Sequence, residues 1–226
     1  MADLYGFVQQ QNASRASDGT SRGIRITRDG AILQIPWLQA LCLEGRVFGA
    51  APGSTALGTT VGPYGGTVTL DLDEFDFLQT IPATVAIIPI YINVGIAVTG
   101  TAGEGGFHAY WGGAGVVGAN GVSVTPHNLR PASSNVSACT VVASADDGGT
   151  AFVPAGLVAR RASNTITVTS GFMDVPAWSV VESGYAPVIE GLASPARQLG
   201  IWVYSQGATT GFIQHVWAEL PIAAVV

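Results

Sequence analysis

Hydrophobic and polar residues alternate along much of this chain with a period of two. In TVTLDLDEF, residues 67–75, Val68, Leu70 and Leu72 share one face, and threonines and aspartates occupy the other, as in a half-buried strand. Similar segments follow at about 84–98, 107–111, 121–124, 137–143, 150–159, 164–169, 176–182, 198–205 and 211–219. About ten short strands separated by turn residues predict an all-β fold, a single jelly-roll or Greek-key β-sandwich.

Three of these segments have a more specific interpretation. Residues 81–98 approach the length and apolarity of a membrane-spanning helix, but two prolines, Asn93 and many Ile and Val residues favour a buried strand pair or one long bent strand. The last two segments, 198–205 and 211–219, are joined by the short stretch GATT. They are predicted to form a closing hairpin.

One short helix is predicted, over residues 36–44, PWLQALCLE. Pro36 suits a first helical turn because its missing N–H is not needed there, and Gly45 is suited to end the helix. The segment carries almost no polar side chains. We therefore predict that it covers one end of the sandwich as a plug.

The first residues of the chain differ from the rest. Residues 1–22 are polar and small without a period, which predicts an arm that is flexible or ordered by a neighbour. Alternation of apolar and polar residues begins at Gly23, so residues 23–226 are predicted to form a single β-sandwich domain. A β-sandwich of this length commonly forms one domain. The opening MADLYGFVQQQNAS has neither the cationic start nor the apolar core of a signal peptide.

The amino-acid composition indicates a sandwich that contacts other molecules. Charged residues make up 11% of the chain, against roughly 25% in ordinary soluble proteins. A surface with so few charges favours contact with partners. All nine basic residues are arginine, which excludes mechanisms that need a lysine amine.

The charge distribution excludes a general nucleic-acid binder. Residues 1–46 hold five arginines against four acids, whereas the remainder holds four against eleven, so no continuous cationic surface is available for phosphates. Within the leading segment, bidentate hydrogen bonds to phosphate from lipid headgroups or a genome are one interpretation, and a solvated face is the other. The arginines concerned are Arg15, Arg22, Arg25 and Arg28.

An acidic cluster is the principal candidate for a metal site. Asp71, Asp73, Glu74 and Asp76 offer the oxygen ligands that calcium prefers. Because Asp71 and Asp73 would stand about 7 Å apart on one strand face, an ion would need a further ligand from elsewhere. A solvated face followed by a turn is the favoured interpretation, and no metal is predicted.

Other chemical motifs in the sequence lack the neighbouring residues that their chemistry requires. The run from Gly113 to Gly118 matches a dinucleotide-binding fingerprint, but turn and strand residues follow it where a helix is required. The three histidines are isolated in sequence, and Cys42 and Cys139 favour two buried thiols over a disulfide. We therefore predict no catalytic residue, no cofactor and no enzymatic activity. An enzyme would instead show a deep pocket lined by perturbed carboxylates or histidines.

Aromatic residues near the end of the chain offer a possible sugar-stacking surface. Trp202, Tyr204 and Trp217 lie on the two predicted hairpin strands, and exposed aromatic rings there would suit a lectin-like platform. Packing in the core is the competing interpretation.

As a whole, the chain resembles the single jelly-roll capsid proteins of tailless, membrane-containing viruses. The resemblance is architectural: a polar N-terminal arm, one β-sandwich, long Gly/Thr/Ala loops and very few charges. It implies a capsid shell subunit in a virion, made in the host cytoplasm, that assembles with its own copies and other virion proteins. It also implies contact of the arm or inner loops with a membrane or genome, and no small-molecule substrate.

Two other functions remain open alongside the shell subunit. A virion decoration or trimeric fibre-head protein would use the same fold and surface. A carbohydrate-binding β-sandwich module would require exposed aromatics or calcium at residues 71–76.

Overall fold

The protein is described by a computed structural model that covers residues 36–52, 72, 74–99, 105–113, 121–146, 152–163, 170–205 and 208–224. Within these residues, the strands form two antiparallel sheets that pack face to face. The predicted all-β sandwich is confirmed. The predicted arm, residues 1–22, lies outside the described residues.

The first sheet contains β1 (Val47–Ala50), β3 (Val85–Thr99), β6 (His127–Asn128), β9 (Ser170–Asp174), β10 (Trp178–Ser179), β11 (Ile189–Glu190) and β13 (Ala208–Pro221). The second contains β2 (Glu74–Ile81), β4 (Gly105–Gly113), β5 (Val122–Val124), β7 (Thr140–Asp146), β8 (Val153–Ala162) and β12 (Arg197–Ser205). The helical elements are α1 (Trp37–Leu43), α2 (Val180–Ser183) and a 3-10 turn at Ile222–Ala224.

The strand pairings are nested along the chain. β1 pairs with β13, β2 with β12, β3 with the short strands β9 to β11, and β4 with β8, all antiparallel. Each outer pair therefore encloses the next one in sequence. The strands between β4 and β8 extend the sheets outward, since β7 and β5 continue beyond β2 and β6 pairs with β1.

The predicted closing hairpin is wrong. β12 pairs with β2 and β4 in the second sheet, whereas β13 pairs with β1 and β3 in the first. The two strands face each other across the core because each has an inward apolar row, with Ile201 on β12 and Ile213 on β13. A short stretch between two strands predicts that the strands are neighbours in one sheet, but β12 and β13 lie in different sheets.

The apolar run at residues 81–98 is mostly one long strand. β3 extends from Val85 to Thr99 and pairs with β13 over nearly its whole length. Of the two interpretations, a strand pair or one long strand, the second is confirmed, and a membrane helix is ruled out for the segment. Among the described residues, no helix has the length and apolarity needed to cross a membrane.

The main core lies between the inner faces of the two sheets. On β12, Leu199, Ile201 and Val203 point into it, because alternate residues of a strand face opposite sides of a sheet. Phe77 and Phe107 join them from the second sheet. This period-two pattern is the feature from which the strands were predicted.

The outer face of the second sheet carries a smaller apolar cluster. Trp202 lies 5.1 Å from Phe75 and 5.2 Å from Phe152, measured between ring centroids, and it is fully buried. The same sheet therefore buries residues on both faces. Such a strand reads as apolar throughout rather than alternating.

The three aromatics predicted as a possible exposed surface are buried instead. Trp202 lies in the outer cluster, Tyr204 is only 3% exposed, and Trp217 belongs to the inter-sheet core. Trp202 and Trp217 also belong to different sheets and to different apolar clusters. Packing, the competing interpretation, accounts for all three.

Helix α1 begins after Pro36 and is followed by Gly45, as predicted. The helix covers the outer face of the first sheet rather than acting as a plug over one end, because Leu41 and Cys42 pack against Val47, Ile88 and Ala218. Gly45 adopts a positive φ of 66°, a conformation that favours glycine at a helix end. Both cysteines are free thiols.

Several short elements escaped prediction. β1 follows the predicted helix at a place where no strand was predicted. The predicted strand at 176–182 is the two-residue β10 followed by α2, because the Ser179 hydroxyl accepts a hydrogen bond from the Glu182 amide at 3.2 Å and so caps a single helical turn.

We predict that Trp202→Ala lowers the free energy of unfolding by about 3–5 kcal/mol, because it empties a fully buried aromatic site. The matched control is Trp37→Ala, at a tryptophan that is 46% exposed, with an expected loss below about 1 kcal/mol. Urea denaturation followed by circular dichroism measures both. Equal losses in the two variants would show that Trp202 is not part of a core.

Candidate functional site

A buried carboxylate, Glu219, forms a hydrogen-bond cluster near one end of the sandwich. Its Oε1 accepts from the Ser137 hydroxyl and from the Trp217 indole Nε1 at 2.9 Å, and its Oε2 accepts from the Ala138 amide at 2.9 Å. The backbone amide of Glu219 donates to the Arg46 carbonyl at 2.8 Å. Three donors thus stabilise a charge that would be costly to bury alone.

The end of α1 is held by side chains from β6 and from the loop between β6 and β7. The Asn128 amide donates to the Gly45 carbonyl at 2.8 Å, and the Asn135 amide donates to the Glu44 and Gly45 carbonyls. The Arg130 guanidinium donates to the Leu43 carbonyl. Cationic and amide donors satisfy the carbonyls that a helix end leaves unpaired.

A groove of about 450 Å³ opens beside these two clusters. We call it the end groove, and its apolar lining consists of Phe48, Val85, Val136, Leu220 and Pro221. Its polar lining includes Arg46, Asn135 and Glu219. The Arg46 Nε lies 2.9 Å from the Glu44 carboxylate, and the hydrogen bonds described above hold the side chains of Asn135 and Glu219.

Polar side chains continue from the Glu219 cluster into the core. The thiol of Cys139 lies beside Gln79 and Glu219, and burial followed by the Glu219 charge raises its pKa well above the ordinary value. The ring of His215 lies 5.1 Å from that of Trp217 and 5.5 Å from that of Phe77. Burial lowers the pKa of His215 to about 3, so the imidazole is neutral in the folded protein at pH 7.

A second buried histidine lies on the opposite side of the second sheet. His108 packs against Tyr110 and Tyr204, with ring centroids 6.1 and 5.3 Å away. Burial, and then the Arg160 charge, lower its pKa to about 4. The structure therefore does not bring His108 and His215 together, and His127 lies on β6.

These side chains do not form a reactive centre. A thiol with a raised pKa is a poor nucleophile, and the buried histidines pack against aromatic rings. In the described part of the chain, no group of three or more histidine, cysteine, aspartate or glutamate side chains is placed to hold a metal ion.

The predicted acidic cluster is only partly described. Asp71 and Asp73, as well as the side chain of Glu74, lie outside the described residues. Asp76 is buried, and its Oδ2 accepts a hydrogen bond from the Val203 amide at 2.7 Å. The favoured interpretation, a solvated face followed by a turn, is therefore wrong for Asp76, which lies buried within β2 and supports the junction of β2 and β12.

The candidate arginines Arg15, Arg22, Arg25 and Arg28 also lie outside the described residues. What the sequence pattern missed is the number of large apolar side chains that reach solvent. Val136 is 87% exposed and Val181 is 74% exposed, and Val153, Leu157 and Tyr185 are also exposed. Most fall in short segments without a clear period, where the sequence does not reveal which face is buried.

No protein-family model, curated protein or solved structure significantly matches this chain. Function is therefore inferred from the chain's own surfaces and chemistry.

We predict that Asp76→Ala lowers the free energy of unfolding by about 1–3 kcal/mol, because the buried Val203 amide loses its acceptor. Asp76→Asn keeps a side-chain oxygen in place and should lose clearly less. Urea denaturation at pH 7 provides the comparison. A loss that is equal in both variants would argue against the hydrogen bond as its cause.

We predict that His215 makes the fold less stable in acid. Its folded pKa of about 3 lies below the ordinary value of 6.5, so the unfolded chain binds the proton first. Stability is therefore full above pH 6.5 and falls by about 1.4 kcal/mol per pH unit toward pH 3 on account of this group.

The variant His215→Phe should lack this contribution, and the phenyl ring should pack among the neighbouring aromatics. Unfolding free energies measured at intervals from pH 7 to 4 give the slope for each protein. The matched control, His127→Gln, changes an exposed histidine and should keep the wild-type slope. If His215→Phe has the wild-type slope too, another group causes the acid sensitivity.

Proposed function

We propose that this protein is a structural virion protein, a capsid shell subunit that assembles with copies of itself. The observation that carries the proposal is a β-sandwich whose surface combines few charges with many exposed apolar side chains. Extended apolar surface is usually covered by a partner. On this proposal the protein resides in the virion, alongside other virion proteins, and has no substrate or cofactor.

The strand order supports a jelly-roll topology within the sandwich. Nested antiparallel pairs, from β1 with β13 to β4 with β8, are what a long hairpin produces when it folds over into two sheets. Jelly rolls of this kind serve as shell and lectin domains. A fold shared by many functions does not identify one, so the surface must carry the functional argument.

One exposed patch is suited to contact between subunits. It lies where β8 meets the α2 region, and the Tyr185 hydroxyl joins the two by donating to the Val158 carbonyl at 3.1 Å. Tyr185 itself and Leu157, the residue before Val158, are exposed, and Val181 on α2 is also exposed. Tyrosine is enriched at the energetically important centre of protein interfaces, and neighbouring contacts of lower energy exclude water from it.

The edge strand β8 is poorly suited to uncontrolled strand pairing. Pro154 lacks an amide donor, and the pairing of β8 with β4 has two register irregularities. Proline and bulges at a sheet edge discourage another chain from adding a strand. Contact through the side chains of this patch, rather than β-sheet extension, is therefore the mode we propose.

A decoration or trimeric fibre-head protein remains an alternative within the same class, because it would use the same surface. A carbohydrate-binding module is less supported, since the aromatics that suggested it, Trp202, Tyr204 and Trp217, are buried. An exposed aromatic, Phe212, remains on the outer face of the first sheet.

Sedimentation of the purified protein tests the proposal. We expect the full-length chain to form species many times its mass of 23.1 kDa, and removal of residues 1–22 to weaken them. Leu157→Asp should raise the dissociation constant by about tenfold or more, because it places a charge in the contact. A monomer at every concentration, unchanged by either alteration, would contradict self-assembly.

A further inference from the structure

The end groove offers an apolar surface whose polar neighbours are already paired. Val136 stands almost fully exposed at its rim, and Leu220 and Pro221 line its wall. The Glu219 carboxylate has three donors, and the Asn135 amide donates to backbone carbonyls. The groove therefore suits an uncharged, apolar occupant better than an ion.

The volume of the end groove limits the size of that occupant. At about 450 Å³, it falls within the range of roughly 300–1,000 Å³ that small ligand sites span. A few side chains on a short segment fit such a volume, whereas a folded domain does not. A short apolar peptide segment is the matching partner.

The chain itself contains such a segment ahead of Pro36. Leu4, Tyr5, Phe7 and Val8 form an apolar group, and the polar stretch of residues 9–22 follows them. An apolar group at the end of a polar tether has the composition of a docking segment. Its single glycine, Gly6, and the absence of charge between residues 4 and 8 match the uncharged lining of the groove.

The described chain starts close to the end groove. Pro36 precedes α1, which is about 10 Å long at 1.5 Å per residue, and the chain then passes directly to Gly45 and Arg46 in the groove wall. Residues 9–35 separate the apolar segment from Pro36. Extended, this stretch spans at most about 90 Å, which is enough to reach the groove of an adjacent subunit.

We propose that Leu4–Val8 docks in the end groove of a neighbouring copy of the protein. The assignment of the segment to a neighbour rests on the proposed function, whereas the fit of segment to groove does not. Phe7 and Leu4 would bury their side chains against Val136, Leu220 and Pro221. The polar residues 9–22 would then run across the contact between subunits and link them.

Photo-crosslinking of the full-length protein tests this directly. A benzoylphenylalanine replaces Phe7, and the crosslinked peptides are identified by mass spectrometry. We expect crosslinks concentrated at residues 135–138 and 219–221. A benzoylphenylalanine at Gln11, in the polar stretch, is the matched control and should give at least fivefold fewer crosslinks there. Equal yields from positions 7 and 11, or crosslinks elsewhere, would overturn the proposal.

A groove variant supplies an independent readout. Val136→Asp places a charge at the exposed rim and should reduce the crosslinks from position 7 at least fivefold. Val181→Asp, at a comparably exposed valine on α2, should leave the yield unchanged. A loss of position-7 crosslinks in both variants, or in neither, would contradict docking in the end groove.

Mixing ¹⁵N-labelled and unlabelled chains separates this inference from the proposed function. Crosslinked peptides of mixed isotope composition are expected, because the segment comes from another copy. Crosslinks to the groove within one chain would support the groove as the docking site but contradict exchange between copies. Monomers without any groove crosslinks would count against both.

Discussion

Burial of the Glu219 carboxylate is the constraint around which one end of this sandwich is organised. A charge 6% exposed requires donors, and here they come from the loop at Ser137 and Ala138 and from Trp217 of its own strand. Its backbone amide bonds to Arg46, where the chain leaves α1 for β1. One residue thus connects the segment inserted between β4 and β8 to the first sheet and the helix. The end groove takes its shape from these same connections.

The two sheets differ in how their outer faces are covered, and this affects where contacts can form. α1 covers part of the first sheet, and the cluster around Trp202 closes part of the second. Large exposed apolar side chains occur near β8, α2 and the end groove, and also on α1, β5 and β13. Because the chain has few charges, contact at these places requires little desolvation of ions. Assembly through rigid patches and a tethered apolar segment is consistent with that distribution.

The alternation of apolar residues predicted most of the long strands because one face of each lies in the core. It predicted neither their partners nor the sheet to which each belongs, since pairing depends on contacts distant in sequence. The loop GATT therefore suggested a hairpin, although β12 and β13 belong to different sheets. The burial of Trp202 was not predictable from period alone because its sheet buries apolar residues on both faces. Helix α1 was predictable, since Pro36 and Gly45 mark its ends locally.

The candidate sites were less predictable than the fold. Asp76 belongs to an acidic run in sequence, yet its role depends on the Val203 amide of a strand far along the chain. Likewise, nothing local to Glu219 signals a buried carboxylate with three donors. The exposure of Val136 follows from a loop whose path is set by the hydrogen bonds of Asn128 and Asn135. Such features arise from tertiary contacts, so a single sequence cannot reveal them.

Electron microscopy of the purified full-length protein tests the central claim, self-assembly, most directly. The account predicts regular particles of uniform curvature, closed or fibrous, that appear as the protein concentration rises. Fields without any assemblies at every concentration and salt condition would contradict it.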